Sequence, residues 1–514
     1  MERVFMVINR LNPEGGGGIN RAILNRSKNL SDKGYRISIV TFGNFDVDEV
    51  KRKLNLSNRL DKRVELLNIH DYYRKTNKSK TISRAARKHY ERSTFLHEHG
   101  YNVKVDRSKR SAKYFKEGVY IKSKNWDEHG LIRHIDYFNE YGEKVQREEF
   151  HDTGFVSQIT NYNPYYDTAV YTRFFTTDGF CYLTSWYNPE TEKVSKNLLF
   201  NRKSQKVKSF KGNKEFHSYW LNKLVSEHSD KPFIICDGIG SAPKVMNMKE
   251  NIAYKIYVMH SNHFSKPYTV GSKTKIKHKK VLDNLKALDA VVTLTEKQKM
   301  HIIDEYNDYD NIHVIPHNIQ KGLSKKVKKE NKTITMVARL HPEKRISHAI
   351  EAFSKVIQTI PDAKLEIYGA GDYESKLTAK IKQLNLQQNV FLCGYTNKTN
   401  LIYKKSLCTL LTSKFEGFSL TILESMTNGT PVISYDVNYG PSDIIVNGVN
   451  GYLIKPNKTI LADKIINLLK HPKLANEMGK NAKRYVFSNF NEKTIVNKWI
   501  DLFETLKRND NRPS

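Results

Sequence analysis

Four charged residues in the last third of the chain have types and spacing that suit a phosphorylated sugar. Arg339 and Lys344 stand five positions apart in VARLHPEKR, and Glu416 and Glu424 stand eight positions apart in EGFSLTILES. Two cations can hold a diphosphate, whereas carboxylates accept hydrogen bonds from the vicinal hydroxyls of a ribose or a hexose. Either pair alone usually means a solvated surface in a chain this rich in charge. Together, the pairs favour a site for a nucleotide-linked sugar.

The segment between the two glutamates follows the strand pattern CTLLTS and leads into an apolar helical pattern. The amides of Gly417, Phe418 and Ser419 are therefore predicted at or near a helix N-terminus, where a negative group is favoured. With Leu420, they are predicted to contact the donor. Glu424, about one turn into the helix, is placed to bind a ribose, and Glu416 in the loop is placed to bind a hexose.

Two arrays of alternating strands and helices would carry these residues. Such alternation is typical of open parallel sheets, whose ligands bind beyond the carboxyl ends of the strands. The first array begins with a strand, a glycine loop, a helix and a strand, and it resumes after position 215. Its strand patterns are RVFMVI, ISIVTF, PFIICDG, KIYVMHSNH and AVVTLT, and those of the second array are TITMVARL, AKLEIYGAG, NVFLCGY, CTLLTS and PVISYD.

The interrupting segment has a different character. A stretch rich in Lys and Arg is followed by alternating aromatic and polar residues, broken by turn signals such as TDGF and YNPETEK, which is typical of an antiparallel meander. The predicted fold class is α/β: two Rossmann-like domains facing a cleft, with an antiparallel β-rich domain inserted in the first. We predict a split N-terminal domain, the insertion, the second α/β domain and a crossover helix with its tail, at residues 1–70 with 213–322, 71–212, 323–490 and 491–514.

The charge balance points to anionic partners. The 514 residues include 86 Lys and Arg against 54 Asp and Glu, a net charge of +32. Such a field gathers nucleic acid, an anionic membrane surface or an acidic polymer. No helix-turn-helix, zinc-finger or RNP motif is present, so nucleic acid is not expected as the partner. Two alternatives stay open for the basic insertion: a solvated module for rigidity or oligomerisation, or a surface that captures a polyanionic acceptor.

Several signals argue against other classes of protein. Four cysteines without a CxxC pair predict a reduced, cytoplasmic setting, and no segment is apolar enough for export or membrane spanning. The glycine run before Asn20 lacks the last glycine of a dinucleotide fingerprint. Two Asp-x-Asp triplets, Asp46/Asp48 and Asp308/Asp310, could bind a divalent ion. Neither ends a strand at the predicted cleft, so we expect no metal and no cofactor.

The sequence resembles the retaining GT-B glycosyltransferases of family four and, within them, bacterial wall teichoic acid α-glycosyltransferases. The resemblance covers nearly the whole chain. It is carried by the interrupting strand region and by four motifs, GGINRAILNRS, VARLHPEKR, EGFSLTILES and YGPSDIIVNGVNGYLI.

The resemblance implies roles for individual residues. Arg339 and Lys344 would bind the donor diphosphate, Glu424 the ribose, and Glu416 the transferred sugar. The catalytic set would be Arg339, Lys344, Glu416 and His260, which resembles the family position near the donor sugar. The remaining donor contacts would be the backbone near Tyr395 at the uracil, and Gly17 and Gly18 at the phosphates and sugar.

The implied reaction moves GlcNAc or glucose from a UDP-sugar, with retention, onto a poly(ribitol phosphate) or poly(glycerol phosphate) chain. Resembling enzymes form trimers through the inserted domain, and the basic surface also allows peripheral contact with the inner face of the cell membrane. Serine-rich or acidic surface proteins are an alternative acceptor. A noncatalytic polyanion-binding module is a second alternative, against which the four intact charged residues argue. The sequence does not distinguish the two sugars, the acceptor or its attachment hydroxyl.

Overall fold

The computed structural model describes residues 2–12, 17–78, 84–306, 310–319, 322, 325 and 327–510. The chain forms two compact units, each assembled from separate stretches. Unit 1 comprises Met1–Asn20, Gly34–Ile234 and Gly240–Ala253, and unit 2 comprises Arg21–Lys33, Ile235–Ile239 and Tyr254–Ser514. The four predicted domain boundaries stay a prediction.

A parallel α/β arrangement opens unit 1. Three short strands pair side by side in parallel, in the order β1-β2-β3, and their buried apolar residues confirm the predicted strands RVFMVI and ISIVTF. The elements are β1 (Arg3–Val7), α1 (Gly18–Asp32), β2 (Arg36–Thr41), α2 (Val47–Leu56), β3 (Glu65–Asn68) and α3 (Ile69–Asn77). Helix α1 begins in unit 1 and ends in unit 2.

An antiparallel sheet of ten strands occupies most of unit 1, and each strand pairs with its neighbours in sequence. This confirms the predicted β-rich insertion. The sheet is preceded by helix α4 (Arg84–Thr94), and its strands are β4 (Asn102–Asp106), β5 (Ser111–Lys116), β6 (Val119–Trp126), β7 (Ile132–Phe138), β8 (Lys144–His151), β9 (Phe155–Asn163), β10 (Thr168–Phe175), β11 (Cys181–Tyr187), β12 (Val194–Phe200) and β13 (Val207–Phe210).

Side chains of this sheet bond to the parallel part of unit 1. The Tyr182 hydroxyl lies 3.0 Å from Nδ1 of His70, at the start of α3. The Asn44 amide donates to Gln158 Oε1 at 2.7 Å. Because buried polar groups need partners, these bonds fix how the sheet attaches to the parallel strands within the unit.

The chain then returns to α/β structure. Strand β14 begins in unit 1 and ends in unit 2, where β14, β15, β16 and β17 follow in order along the sheet. All five residues of β14 and of β15 are buried, as expected for parallel strands covered on both faces. These elements are α5 (Gly212–Ser226), β14 (Phe233–Asp237), α6 (Ala242–Met246), β15 (Tyr254–Val258), α7 (Ile276–Leu282), β16 (Ala290–Thr293), α8 (Glu296–Tyr306) and β17 (Ile312–Val314).

A second parallel sheet of six strands dominates unit 2, in the order β20-β19-β18-β21-β22-β23. It confirms the predicted second array. Its elements are β18 (Glu330–Val337), α9 (Ile346–Thr359), β19 (Lys364–Tyr368), α10 (Glu374–Gln383), β20 (Val390–Leu392), α11 (Thr399–Lys405), β21 (Ser406–Leu411), α12 (Leu420–Thr427), β22 (Val432–Tyr435), α13 (Pro441–Ile444), β23 (Gly451–Ile454), α14 (Lys458–Lys470) and α15 (Pro472–Asn489).

Helices α9 and α14 supply much of the core of this second sheet. Ile350 and Phe353 of α9 and Leu461 and Ile465 of α14 are fully buried against the strands. Fully burying such a side chain contributes about 1.5–3 kcal/mol. This core makes the sheet a rigid support for the loops at its edge.

The last helix, α16 (Glu492–Asp510), packs within unit 2 on elements that are distant in sequence. The Arg26 guanidinium of α1 lies 4.8 Å from the Trp499 ring centroid. The Tyr254 hydroxyl of β15 donates to Asp510 Oδ2 at 3.1 Å. The helix therefore contacts two elements of the predicted first α/β domain.

Candidate functional site

The second sheet of unit 2 has a topological switch point between β18 and β21. Strand β19 follows β18 in sequence and lies on one side of it, whereas β21 lies on the other. Ligands of open α/β sheets bind where the strand order reverses, beyond the carboxyl ends of the strands. The loops in this position are residues 338–345 and residues 412–419.

These two loops are joined by hydrogen bonds. Thr412 Oγ1 donates to the Lys344 carbonyl at 2.9 Å, and the Lys414 amide donates to the Glu343 carbonyl at 2.8 Å. The Lys344 ammonium donates to Glu416 Oε1 at 2.6 Å, and Ser413 Oγ donates to the same oxygen at 2.5 Å. The structure thus brings together two of the predicted catalytic residues, Lys344 and Glu416.

Arg339 lies two residues beyond β18, and its side chain is exposed. The backbone on either side of Arg339 packs tightly against the loop that follows β19. A Cβ on Gly369 would lie 1.8 Å from the Ala338 carbonyl oxygen, and one on Gly371 would lie 2.4 Å from the Leu340 carbonyl oxygen. Within the described part of the chain, Arg339 forms no salt bridge. Its guanidinium is therefore available to a diphosphate.

The three residues whose backbone amides were predicted to face the donor lie directly before α12. A Cβ on Gly417 would lie 2.0 Å from the His260 carbonyl oxygen, so only glycine permits this approach. Phe418 is buried, with its ring 5.6 Å from that of His317. Ser419 has a φ of 79°, and its buried hydroxyl has no partner among the described residues. Leu420 begins α12, as the sequence predicted.

Glu424 lies in the second turn of α12 and is paired with Arg21 of α1. Its other oxygen, Oε2, accepts a hydrogen bond from the Tyr403 hydroxyl at 3.4 Å. Burial raises the pKa of Glu424, while Arg21 and Tyr403 oppose that rise. Sequence reasoning missed Arg21, because nothing local connects it with a residue 403 positions away.

His260 belongs to a buried polar cluster at the end of β15. Its Nε2 lies 2.7 Å from Oδ1 of Asp237, whose other oxygen is paired with Arg26 of α1. Burial raises the pKa of Asp237, but Arg26 and His260 outweigh it and hold that pKa below its usual value. The His317 ring is stacked on His260 with centroids 5.4 Å apart. The strand PFIICD, which ends in a carboxylate, was the one sequence signal for Asp237.

The remaining predicted donor contacts are Tyr395, Gly17 and Gly18. Tyr395 is exposed in the loop after β20, where the Gly394 carbonyl accepts a hydrogen bond from the Gly369 amide at 2.8 Å. Gly17, with a φ of 87°, precedes α1, and Gly18 is its first residue. Both glycines belong to unit 1. The roles of all twelve predicted site residues stay predictions.

The Asp-x-Asp triplet Asp46/Asp48 has a structural explanation. Asp46 caps α2, since its side chain accepts hydrogen bonds from the amides of Asp48 and Glu49. Asp308 lies outside the described residues. Among the residues that the structure does describe, no three metal-ligating side chains cluster to hold a metal ion, and no helix is both long and apolar enough to cross a membrane.

The unit 2 residues together can bind a nucleotide sugar. Arg339 and Lys344 supply positive charge, the amides at the start of α12 supply hydrogen-bond donors, and two carboxylates accept hydrogen bonds from hydroxyls. Preorganised donors of this kind stabilise a departing diphosphate.

Comparison with known proteins supports this interpretation. Residues 319–485 match the family model described as glycosyl transferases group 1. A poly(ribitol-phosphate) alpha-N-acetylglucosaminyltransferase of Staphylococcus aureus (strain COL) is 30% identical over 98% of this chain and 100% of its own length. A poly(glycerol-phosphate) alpha-glucosyltransferase of Bacillus subtilis (strain 168) is 26% identical over 93% of this chain and 72% of its own length.

A solved structure of the same kind of transferase also matches the chain over nearly its full length. It is a mutant of S. aureus TarM in complex with fondaparinux, alpha-GlcNAc-glycerol and UDP, which superimposes with a TM-score of 0.87 at 29% identity. The match covers 98% of this chain and 100% of that one. It therefore includes the ten-stranded sheet as well as both parallel sheets.

Proposed function

The chain belongs to the group 1 glycosyl transferases of the GT-B fold, and we propose that it moves GlcNAc or glucose from a UDP-sugar, with retention, onto the polyol phosphate chain of a wall teichoic acid. One observation carries the proposal. The loops holding Arg339, Lys344 and Glu416 meet at the switch point of the second sheet, in a chain that matches the S. aureus transferase over its entire length.

The reaction needs electrostatic stabilisation more than a protein nucleophile. An acceptor hydroxyl attacks the anomeric carbon on the face from which UDP departs. As that bond forms, the bond between the anomeric carbon and the β-phosphate oxygen breaks, and a phosphate oxygen of UDP takes the acceptor proton. Arg339, Lys344 and the α12 amides stabilise the charge on the diphosphate, an effect worth about 3–4 kcal/mol for one well-placed donor.

The carboxylates and His260 position the donor. Glu416 shares the Lys344 ammonium and binds hydroxyls of the transferred sugar, while Glu424 binds the ribose. Asp237 accepts a hydrogen bond from the Nε2–H group of His260 and so holds the imidazole in one orientation beside the Gly417 loop.

The decisive experiment measures UDP release and product linkage with a panel of substrates. The purified protein is given UDP-glucose or UDP-GlcNAc together with poly(ribitol phosphate), poly(glycerol phosphate) or a serine-rich surface protein. We expect release with one of the polyol phosphates and an α-linked product by NMR. Transfer to the protein alone would identify a protein glycosyltransferase, and release with no pair would identify a noncatalytic polyanion-binding module.

The remaining properties are part of the same proposal. We expect activity to persist in EDTA, because two side-chain cations at the site replace a metal. We expect a homotrimer that assembles through the ten-stranded sheet, and a cytoplasmic enzyme with peripheral contact at the inner face of the membrane. Light scattering tests the trimer when the wild type is compared with a variant that lacks the exposed aromatic residues of the inserted segment. Binding to anionic vesicles tests the peripheral membrane contact.

A further inference from the structure

A pocket of about 390 Å³ lies next to the candidate site in unit 2, and its lining includes none of the predicted donor contacts. Ser261, which follows His260, forms part of its wall, and the Ser261 Cα lies close to Gly417. The lining of the pocket includes Ile239, Ser261, Ser265, Lys275, Lys277 and His278. Two cations, two hydroxyls and an imidazole therefore surround one opening beside the predicted sugar position.

Lys275 is held rigidly at this pocket. Its ammonium donates to the Asn262 carbonyl at 2.7 Å and lies 4.4 Å from the ring centroid of Phe415, in the loop that leads to Glu416. An ammonium has three donors, so two N–H groups remain for a ligand. Within the described residues, no carboxylate lies at salt-bridge distance from Lys275. Burial lowers its pKa, with Glu343 opposing.

His278 and Ser261 leave one hydrogen-bond donor unused. His278 is 5% exposed, its Nε2 lies 3.2 Å from Ser261 Oγ, and its Nδ1 has no partner among the described residues. If Ser261 donates to Nε2, the Nδ1 atom of the neutral ring carries an unused proton. If Nε2 donates instead, the Ser261 hydroxyl proton is unused. In either tautomer one donor of the pair has no acceptor among the described residues, and a donor on the buried Nδ1 atom would be unfavourable without a ligand.

We propose that this pocket binds a phosphodiester of the acceptor, the one beside the polyol hydroxyl that receives the sugar. The proposal rests on the function proposed above and names the part of the acceptor that the site recognises. Lys275 and Lys277 neutralise the phosphate, and Ser265 and the one unused donor of the Ser261–His278 pair donate to its oxygens. Ile239 packs against the carbon chain of the polyol.

This site explains how the enzyme chooses among hydroxyl compounds. A hydroxyl adjacent to a bound phosphate is presented to the anomeric carbon in a fixed position, which makes the attack effectively intramolecular. A neutral polyol has no such anchor. The phosphorylated acceptor is therefore preferred through acceptor binding alone, without any change in donor binding.

The test compares acceptors that differ only in the phosphate. Transfer from the UDP-sugar is measured with sn-glycerol 3-phosphate and with glycerol, for the wild type, Lys275→Met and Ser261→Ala. Methionine is an unbranched side chain of similar length and removes the charge over the Phe415 ring. We expect kcat/KM for the phosphorylated acceptor to fall about 10- to 100-fold in Lys275→Met and less in Ser261→Ala. With glycerol, and for UDP binding by calorimetry, we expect changes under about threefold. The control variant Lys286→Met removes an exposed lysine of the same unit.

Two results would overturn the subsite. Equal losses with both acceptors would assign Lys275 to the donor site or to folding, and no loss with either would place the phosphate elsewhere. The wild type's transfer to poly(ribitol phosphate) and poly(glycerol phosphate) tests the proposed function separately. An active wild type whose acceptor preference does not respond to Lys275→Met refutes the pocket and leaves the proposed function standing.

Discussion

The Lys344 ammonium lies 2.6 Å from a carboxylate oxygen of Glu416, so an incoming diphosphate must share that cation. We expect Lys344→Ala to lower kcat/KM about 100- to 1,000-fold, because it removes charge stabilisation from the leaving group. Initial rates of UDP release check this. Lys332→Ala is the matched control, since it breaks an exposed ion pair with Asp362 in the same unit. Near-normal turnover in Lys344→Ala would refute its assignment.

We expect the Asp237 carboxylate to act on the reaction by holding the His260 ring in position. We expect Asp237→Asn to lower kcat about 10- to 100-fold with little change in the KM for the UDP-sugar, as for other carboxylates that orient a histidine. The decisive readout is a double-mutant cycle with His260→Ala, in which Asp237→Asn should cost almost nothing further. If the two substitutions instead lower kcat by factors that multiply in the double variant, the role of Asp237 is merely structural. Asp289→Asn, just before β16, controls for the amide substitution.

At the scale of residues, the sequence predicted that loops of the second sheet would lie together at its edge, and the roles of their residues stay predictions. Arg339, Lys344 and Glu416 sit next to strand ends, where buried apolar runs and short loops mark their position. Arg21 and Asp237 were not predicted as site residues, because their partners arrive from other elements only once the chain has folded. Contacts between residues that are distant in sequence leave no periodic pattern or fixed spacing from which they could be predicted.

The loop between β21 and α12 depends on a glycine with no room for a side chain. We expect Gly417→Ala to lower both the melting temperature and the transfer activity, because the Cβ would meet the His260 carbonyl oxygen and force the backbone to move. Differential scanning fluorimetry and UDP release measure the two effects. Gly448→Ala is the control, since its position is open and only the left-handed φ of 79° resists the change. Equal effects from both variants would contradict the close approach.

The short helix α13 carries a carboxyl group that is costly to ionise. Burial raises the pKa of Asp443 from 3.8 to about 6, and no described residue bonds its Oδ2. The folded state therefore holds this proton more tightly than the unfolded state, and the stability so gained is full below about pH 4 and lost as the pH rises through about 6.

Replacing that group should remove the pH dependence. We expect the melting temperature of Asp443→Asn, relative to wild type, to rise between about pH 4 and about pH 7. Thermal melts across this range measure the difference. The exposed Asp463→Asn should show no such rise, and a constant difference for Asp443→Asn would rule out the buried proton.

At the scale of elements, most strands of both parallel sheets were predictable because each contains a short, mostly apolar run between loops, whereas β3 and β23 were not among the predicted strands. Helix α4 was not. It buries only Ser93, so the basic stretch that forms it has no apolar stripe to signal a helix. The interrupting segment was predictable as a meander, since its turns and alternation are local.

The net charge of +32 acts over the entire molecule. We expect kcat/KM for a polyol phosphate polymer to fall steeply between about 50 and 500 mM NaCl, because salt screens the attraction between a basic surface and a polyanion. Transfer to glycerol, which carries no charge, should change little over the same range. Equal salt dependence for both acceptors would place the effect on the UDP-sugar instead.

Helix α16 has a consequence for how the protein is made. Its Trp499 lies against Arg26, which holds the carboxylate beside His260, and its Asp510 accepts a bond from Tyr254. A growing polypeptide releases this helix from the ribosome after the residues on which it packs. Arg26 and Tyr254 therefore acquire their contacts with Trp499 and Asp510 only after α16 has been synthesised.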